Sequence, residues 1–163
     1  MIVFKSLTFQ NFLSVGNYPV TIQLDDSKTT LVHGTNGSGK STILDVLTYT
    51  LFNRPFRRVN LPQLLNSQNK KGLLTEVKFT IGRDEFIVTR GMKPKVFTIE
   101  KNGKELDAKA ADKDNQAHLE QISAAPEDIA NQSITSRFAG AVDCLRQSVV
   151  SGHNGNHTTA RET

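Results

Sequence analysis

The chain has 163 residues, of which 37% are apolar and 22% charged, a balance that excludes a disordered polyelectrolyte and leaves a globular domain with a core of its own. The formal charge of +4 is uneven: residues 1–100 carry 13 Lys/Arg against 7 Asp/Glu, and residues 101–163 carry 7 against 9. A basic first part suits either a polyanionic partner or a plain solvated surface.

Cys144 is the only cysteine, which excludes an internal disulfide and a zinc cluster and fits a cytoplasmic setting. No apolar run approaches the roughly 20 residues that span a bilayer, so no membrane partner is expected. The N-terminus, Met1-Ile2-Val3-Phe4-Lys5, lacks the charged-then-apolar layout of a signal peptide.

In chain order, Ile2 to Phe9 has the composition of a strand, and Val20 to Leu24 resembles a second, with a turn at Gly16-Asn17-Tyr18-Pro19 between them. Asp25-Asp26-Ser27-Lys28 is a polar turn, and Thr29 to His33 is expected as a third strand. Gly34-Thr35-Asn36-Gly37-Ser38-Gly39-Lys40-Ser41 follows and fits the phosphate-binding pattern GxxxxGK[ST] without mismatch. Glycines at these positions let the backbone turn and come close to a ligand, so that several N–H groups converge on a phosphate chain. The helix behind adds its positive dipole end. Lys40 would bridge the outer phosphates, the Ser41 hydroxyl would bind Mg2+, and Thr42 is a second phosphate contact.

Ile43, Leu44, Val46, Leu47, Leu51 and Phe52 recur at helical spacing, which predicts a helix from about Ser41 to Phe52. Pro55 disfavours helical geometry at Arg54 and ends it. Arg57 and Arg58 come next, then a short helix over Leu61 to Leu65 and a basic loop from Asn66 to Gly72. An antiparallel meander is predicted from Val77–Ile81, Phe86–Arg90 and Val96–Glu100, with a turn at Gly82-Arg83-Asp84 and a basic loop over Gly91–Lys95. Asn102-Gly103 is a strong hairpin signal leading into a return strand at Lys104. Ala108 to Ile122 reads as a helix with a thin apolar stripe, and Pro126 could open another. From Ser151 onward one alanine is the sole apolar residue, so a disordered tail is expected. His153 and His157 lie in it and read as solvated histidines rather than metal ligands.

The strand carrying Asn11-Phe12-Leu13-Ser14, the loop Gly34–Ser41, the helix Thr42–Phe52 and the meander together resemble the N-terminal lobe of the SMC-like ABC ATPases of double-strand-break repair, the SbcC type. The phage branch of that family is the nearer likeness, through Phe56-Arg57, Gln63-Leu64-Leu65-Asn66-Ser67, Asn69-Lys70-Lys71 and Arg90-Gly91-Met92-Lys93-Pro94-Lys95-Val96-Phe97. The resemblance covers residues 2 to about 122. It implies an α/β fold, the P-loop NTPase N-terminal lobe with its antiparallel β meander, as part of an incomplete head. The expected division is residues 1–125 for the lobe, 126–150 for a helical or irregular segment, and 151–163 for the tail.

The resemblance also implies binding of ATP and Mg2+ through Asn36, Gly37, Ser38, Gly39, Lys40, Ser41 and Thr42. Ser41 would be a metal ligand, and Gln132 lies near the place of the family's metal-binding glutamine. The partners implied are a C-terminal ATPase lobe or a second head, a nuclease subunit, and DNA. Arg57, Arg58, Lys70, Lys71, Arg90, Lys93 and Lys95 are candidate DNA-phosphate contacts. The sequence departs from the family at Leu13, where many relatives carry arginine. No apolar run ending in Asp-Glu, signature motif or heptad pattern follows residue 125. Asp45 reads as a helix-face residue rather than a catalyst. Nucleotide binding with little turnover by this chain alone is therefore expected. The alternative is a truncated head that docks on a full-length relative and modulates it.

Overall fold

The computed structural model describes residues 2–26, 32–106, 116, 117 and 119. One six-stranded, wholly antiparallel sheet runs in the order β2-β1-β3-β4-β5-β6. Its strands are β1 (Ile2–Gln10), β2 (Val20–Gln23), β3 (Leu73–Ile81), β4 (Asp84–Met92), β5 (Val96–Lys101) and β6 (Lys104–Glu105). Helix α1 (Lys40–Phe52) follows β2 and packs across β1, β3 and β4. A short 3-10 helix at Leu61–Leu64 precedes β3.

The period of two along each strand sends one set of side chains under the helix. Leu7, Val77, Val88 and Ile99 form one buried row across four strands, and Phe9, Thr75, Arg90 and Phe97 form the next. Phe4, Phe79 and Phe86 make an aromatic row, with Phe79 stacked on Phe86 at 5.5 Å and Phe4 edge-on to Phe79 at 6.0 Å. Phe4 and Leu7 are three residues apart, which in a regular strand puts them on opposite faces. A bulge at Lys5 restores the match: Phe4 pairs with Phe79 while Ser6 already pairs with Lys78.

Helix α1 is buried on nearly every side; Leu44, Asp45, Val46, Leu47, Thr48, Tyr49, Thr50 and Leu51 are all inside. It ends where Asn53 takes a left-handed conformation (φ 55°) and its N–H returns to the Tyr49 carbonyl. Thr50 donates to Val46 O (2.7 Å), its hydroxyl lies 2.8 Å from that of Thr75, and Thr75 donates to Arg90 O (3.0 Å), so the polar atoms at this helix–sheet contact are paired.

The helix and the order of the strands follow the sequence, but β3 begins at Leu73 rather than Val77 and β4 runs on through Gly91 and Met92, expected as loop; Asn102 and Gly103 both take positive φ (50° and 77°) in the expected hairpin turn. One further expectation is corrected. Of the strand expected over Thr29–His33, the described residues Val32 and His33 pair with no strand and line the cleft beside the loop instead, since β-prone residues form a ladder only where a neighbouring strand accepts them. The helix expected over Ala108–Ile122 is described only at Gln116, Ala117 and Leu119, which are helical. The expectations for 126–150 and for the tail 151–163 lie outside the described residues.

Phe79 is fully buried between two aromatic neighbours. Phe79→Ala is expected to lower stability by about 3–5 kcal/mol, read as a fall in the urea midpoint at unchanged slope; a shift of under about 1 kcal/mol would place the core elsewhere.

Candidate functional site

The segment between Val32 and α1 folds back on itself, with the Ser38 N–H donating to Thr35 O at 3.2 Å. Two glycines shape the loop, one by close approach and one by backbone conformation. A Cβ on Gly34 would lie 2.6 Å from Ser38 Oγ, and Gly39 caps the helix from the left-handed region at φ 93°. No side chain caps this helix end, so its first N–H groups and the positive end of its dipole are left for an anion. Lys40 Nζ donates to Gly34 O at 2.5 Å and Thr35 O at 2.7 Å. The loop carbonyls thus hold the ammonium over the loop. Ser41 is exposed in the first turn, while Thr42 is buried and its N–H donates to Gly39 O at 3.0 Å.

A cleft of about 300 Å³ opens beside the loop. Ser38, Gly39, Lys40 and Thr42 form its polar end. Phe9, Val15, Val20, Ile22, Val32 and Ile43 form an apolar wall, with Ser14 and His33 as the polar side chains outside the loop. The wall is drawn from β1, β2, the turn after β1, the residue Val32 before the loop and Ile43 of α1. The sequence reading missed it, because Val20 and Ile22 look like ordinary strand residues until β2 is seen at the sheet edge next to the loop.

Asp45 and Arg57 tie α1 to the segment that follows it. Asp45 is fully buried; its carboxylate accepts from the Arg57 N–H (2.9 Å) and from Arg57 Nε (2.5 Å). It is a helix-face residue, as read from the sequence, but one turned inward. A second polar group, of asparagines, holds the turn after β1. Asn66 donates to Leu13 O and Val15 O, Asn69 donates to Asn11 Oδ1, and Asn11 donates to Gly72 O. The departure at Leu13 lies inside this turn, where Leu13 is half-buried with φ 51° and its N–H donates to Leu64 O at 2.7 Å.

The model of an AAA domain matches residues 6–139. The chain belongs to the AAA domain family. It is 46% identical over 114 residues to exonuclease subunit 2 of Enterobacteria phage T4, a match that covers 70% of this chain and 20% of that protein. It is 30% identical over 90 residues to the DNA double-strand break repair Rad50 ATPase of Sulfolobus acidocaldarius, covering 55% of this chain and 10% of that one. The Smc head domain of Pyrococcus furiosus, solved with an extended coiled coil and bound to the C-terminal domain of ScpA, has a TM-score of 0.57 at 25% identity over 78% of this chain and 35% of that chain. These matches bear out the resemblance to SMC-like ABC ATPases of double-strand-break repair, and the fold is that of the N-terminal lobe of a P-loop NTPase head. The AAA domain chain spans 20% of the length of its phage relative.

Among the basic residues, the AAA domain brings four together. Lys70 and Lys71 lead into β3, and Lys93 and Lys95 lie in the turn between β4 and β5; all four are exposed, and Gly72 N–H donates to Lys93 O at 2.7 Å. Asp84, Glu85, Glu100 and Glu105 lie towards the opposite end of the strands. Arg57 and Arg58 belong to the separate segment after α1, and Arg57 is drawn to Asp45. Arg90 is corrected: it is buried, 5% exposed, and is no surface contact. Its Nε donates to Thr50 O (2.9 Å), its Nη2 to Gln116 Oε1 (2.9 Å), and its guanidinium lies 3.7 Å from the centre of the Phe97 ring. The reason is parity, since Phe86, Val88 and Arg90 alternate on the inward face of β4. Burial raises the Tyr49 hydroxyl above its ordinary pKa, and the positive charge of Arg90 opposes that rise. Gln132 lies outside the described residues. No helix among the described residues is long and apolar enough to cross a membrane.

Two outcomes follow from these pairings. Arg90→Ala is expected to cost about 1.5–3 kcal/mol in stability, because Thr50 O and Gln116 Oε1 lose their donor and the stack on Phe97 is emptied; chemical denaturation checks this, and a variant as stable as the parent would return Arg90 to the surface. Asp45→Ala is expected to cost about 1.5–3 kcal/mol by the same assay, with faster proteolysis at Arg57 and Arg58 as the segment loosens.

Proposed function

We propose that this chain is the ATP-binding N-terminal lobe of a DNA repair and recombination nuclease-complex ATPase. One observation carries the reading: Lys40 Nζ is held on the Gly34 and Thr35 carbonyls, in a cleft that runs from an uncapped helix end to an apolar wall. A phosphate chain supplies the charge that this end lacks, and the wall supplies a dry surface for the nucleoside. Asn36, Gly37, Ser38 and Gly39 would present backbone N–H groups, Lys40 would contact the outer phosphates, and Thr42 would add a further phosphate contact.

The donor set fits a hard cation. Ser41 offers an exposed hydroxyl in the first turn of α1, and Mg2+ takes such an oxygen together with phosphate oxygens. When bound, the ion would neutralise charge on the phosphates. Gln132 remains a proposed second ligand.

Hydrolysis needs a carboxylate that aims water at the terminal phosphate and charge placed in line with it. Asp45, four residues after Ser41, has its carboxylate taken up by Arg57. The proposal is accordingly that the lobe binds nucleotide and that a C-terminal lobe or a second head completes turnover, in company with a nuclease subunit. DNA is the polyanion proposed for the exposed cluster of Lys70, Lys71, Lys93 and Lys95, with Arg58 as a further contact.

Lys40→Ala is expected to weaken binding of labelled ATP in magnesium buffer by at least about a hundredfold, the ammonium–phosphate contact being charge-assisted and held in place, with far-UV circular dichroism unchanged. Unchanged affinity would refute the loop assignment. The 163-residue chain is expected to release phosphate from ATP no faster than buffer controls; robust turnover by the monomer would show a catalytic carboxylate not assigned above.

A further inference from the structure

We propose that Asn66, outside the cleft, is the positioning residue for the cleft wall that faces the phosphate loop, fixing the Leu13–Val15 backbone where a nucleoside must pack; this rests on the nucleotide reading given above. Asn66 is buried, 7% exposed, and its carboxamide is saturated. Its Nδ2 donates to Leu13 O at 2.8 Å and to Val15 O at 3.2 Å, and its Oδ1 accepts the N–H groups of Gln68 and Asn69, both at 3.0 Å. Two donor hydrogens and two lone pairs are all used. The opposite orientation of the amide would set oxygen against two carbonyls and nitrogen against two N–H groups, so the environment dictates the one seen.

The turn it grips is closed by two bonds of its own, Asn11 N–H to Gly16 O at 2.8 Å and Val15 N–H to Phe12 O at 3.0 Å, but these leave its backbone in a disfavoured conformation. Asn11 and Leu13 both sit at positive φ, 50° and 51°; asparagine tolerates that region, and leucine does so only where its surroundings over-determine it. Beyond the turn's own two bonds, the surroundings come from the segment 64–72. Leu13 N–H donates to Leu64 O, Asn66 N–H donates to Asn11 O at 2.9 Å, and Asn69 Nδ2 donates to Asn11 Oδ1 at 2.6 Å. Ser14 and Val15, in the same turn, line the cleft that Lys40 also lines. The oxygen half of the Asn66 amide shapes its own turn, residues 66–69. The nitrogen half reaches across to the wall. The two halves therefore do separable work.

Asn66→Asp separates them, since a carboxylate still accepts from Gln68 and Asn69 but donates nothing to Leu13 or Val15. In the 163-residue chain, ATP affinity is expected to fall about tenfold, while inorganic tripolyphosphate, which engages the loop without the wall, keeps its affinity within about twofold. Unchanged ATP affinity, or equal weakening of ATP and tripolyphosphate, overturns the proposal and leaves Asn66 as a turn residue only. Should Asn66→Asp not fold, judged by circular dichroism, Asn69→Ala decides in its place. It removes one donor at the partly exposed end of the network; about threefold weaker ATP with unchanged tripolyphosphate supports the proposal, and no change in ATP overturns it. A parent chain that binds tripolyphosphate and ATP equally well denies the wall any nucleoside contact and overturns this inference alone, whereas a parent chain that binds neither removes the nucleotide reading as well.

Discussion

The lobe depends on how one helix is pinned to one sheet. Helix α1 is apolar on most of its circumference, and apolar contact by itself does not fix where along or around its axis a helix comes to rest. Three cations do that. Lys40 ties the first turn to the loop before it, Arg57 grips Asp45 one turn further on, and Arg90 reaches up from β4 to the Thr50 carbonyl near the end. Gln116 adds a donor to Leu51 O at 3.1 Å. Of the three cations, the last two use groups, the Asp45 carboxylate and Thr50 O, that would otherwise be buried without a partner. The glycine loop can be open and uncapped because the helix that carries it is held elsewhere.

Polar contacts also join parts that the chain separates widely. The segment 64–72 holds the turn after β1 through asparagine side chains, and at its other end it carries Lys70 and Lys71 into β3 beside the Lys93–Lys95 turn. The cleft wall and the lysine cluster therefore share one short stretch of backbone. Asparagine suits such a stretch, because it donates and accepts at once and tolerates left-handed backbone, as at Asn11.

What the sequence made legible was local. Gly34, Gly39, Lys40 and Ser41 announce the loop by spacing, the apolar positions from Ile43 to Phe52 announce the helix, and Asn102-Gly103 announces its hairpin. What stayed hidden was tertiary. The Lys5 bulge shows only when Phe4 and Leu7 are both seen against β3. Val32 and His33 have β-prone neighbours, yet strand is a property of pairs, and the described strands leave them without one. Arg90 sits among basic neighbours in sequence, although its alternation with Phe86 and Val88 carries the signal that it faces inward. Asn66 looked like the first residue of a polar loop; nothing local distinguishes an asparagine that bonds solvent from one that bonds two carbonyls fifty residues earlier.

The buried guanidinium of Arg90 sets a rotational lock. Consecutive residues of an α-helix are turned by about 100° from each other, so a slip of α1 by a single position would swing Thr50 O away from Nε and leave that buried carbonyl without its donor. The angle at which the glycine loop meets the sheet is thereby dictated by a residue on β4 that lies fifty positions further along the chain than Lys40 and touches no part of the loop.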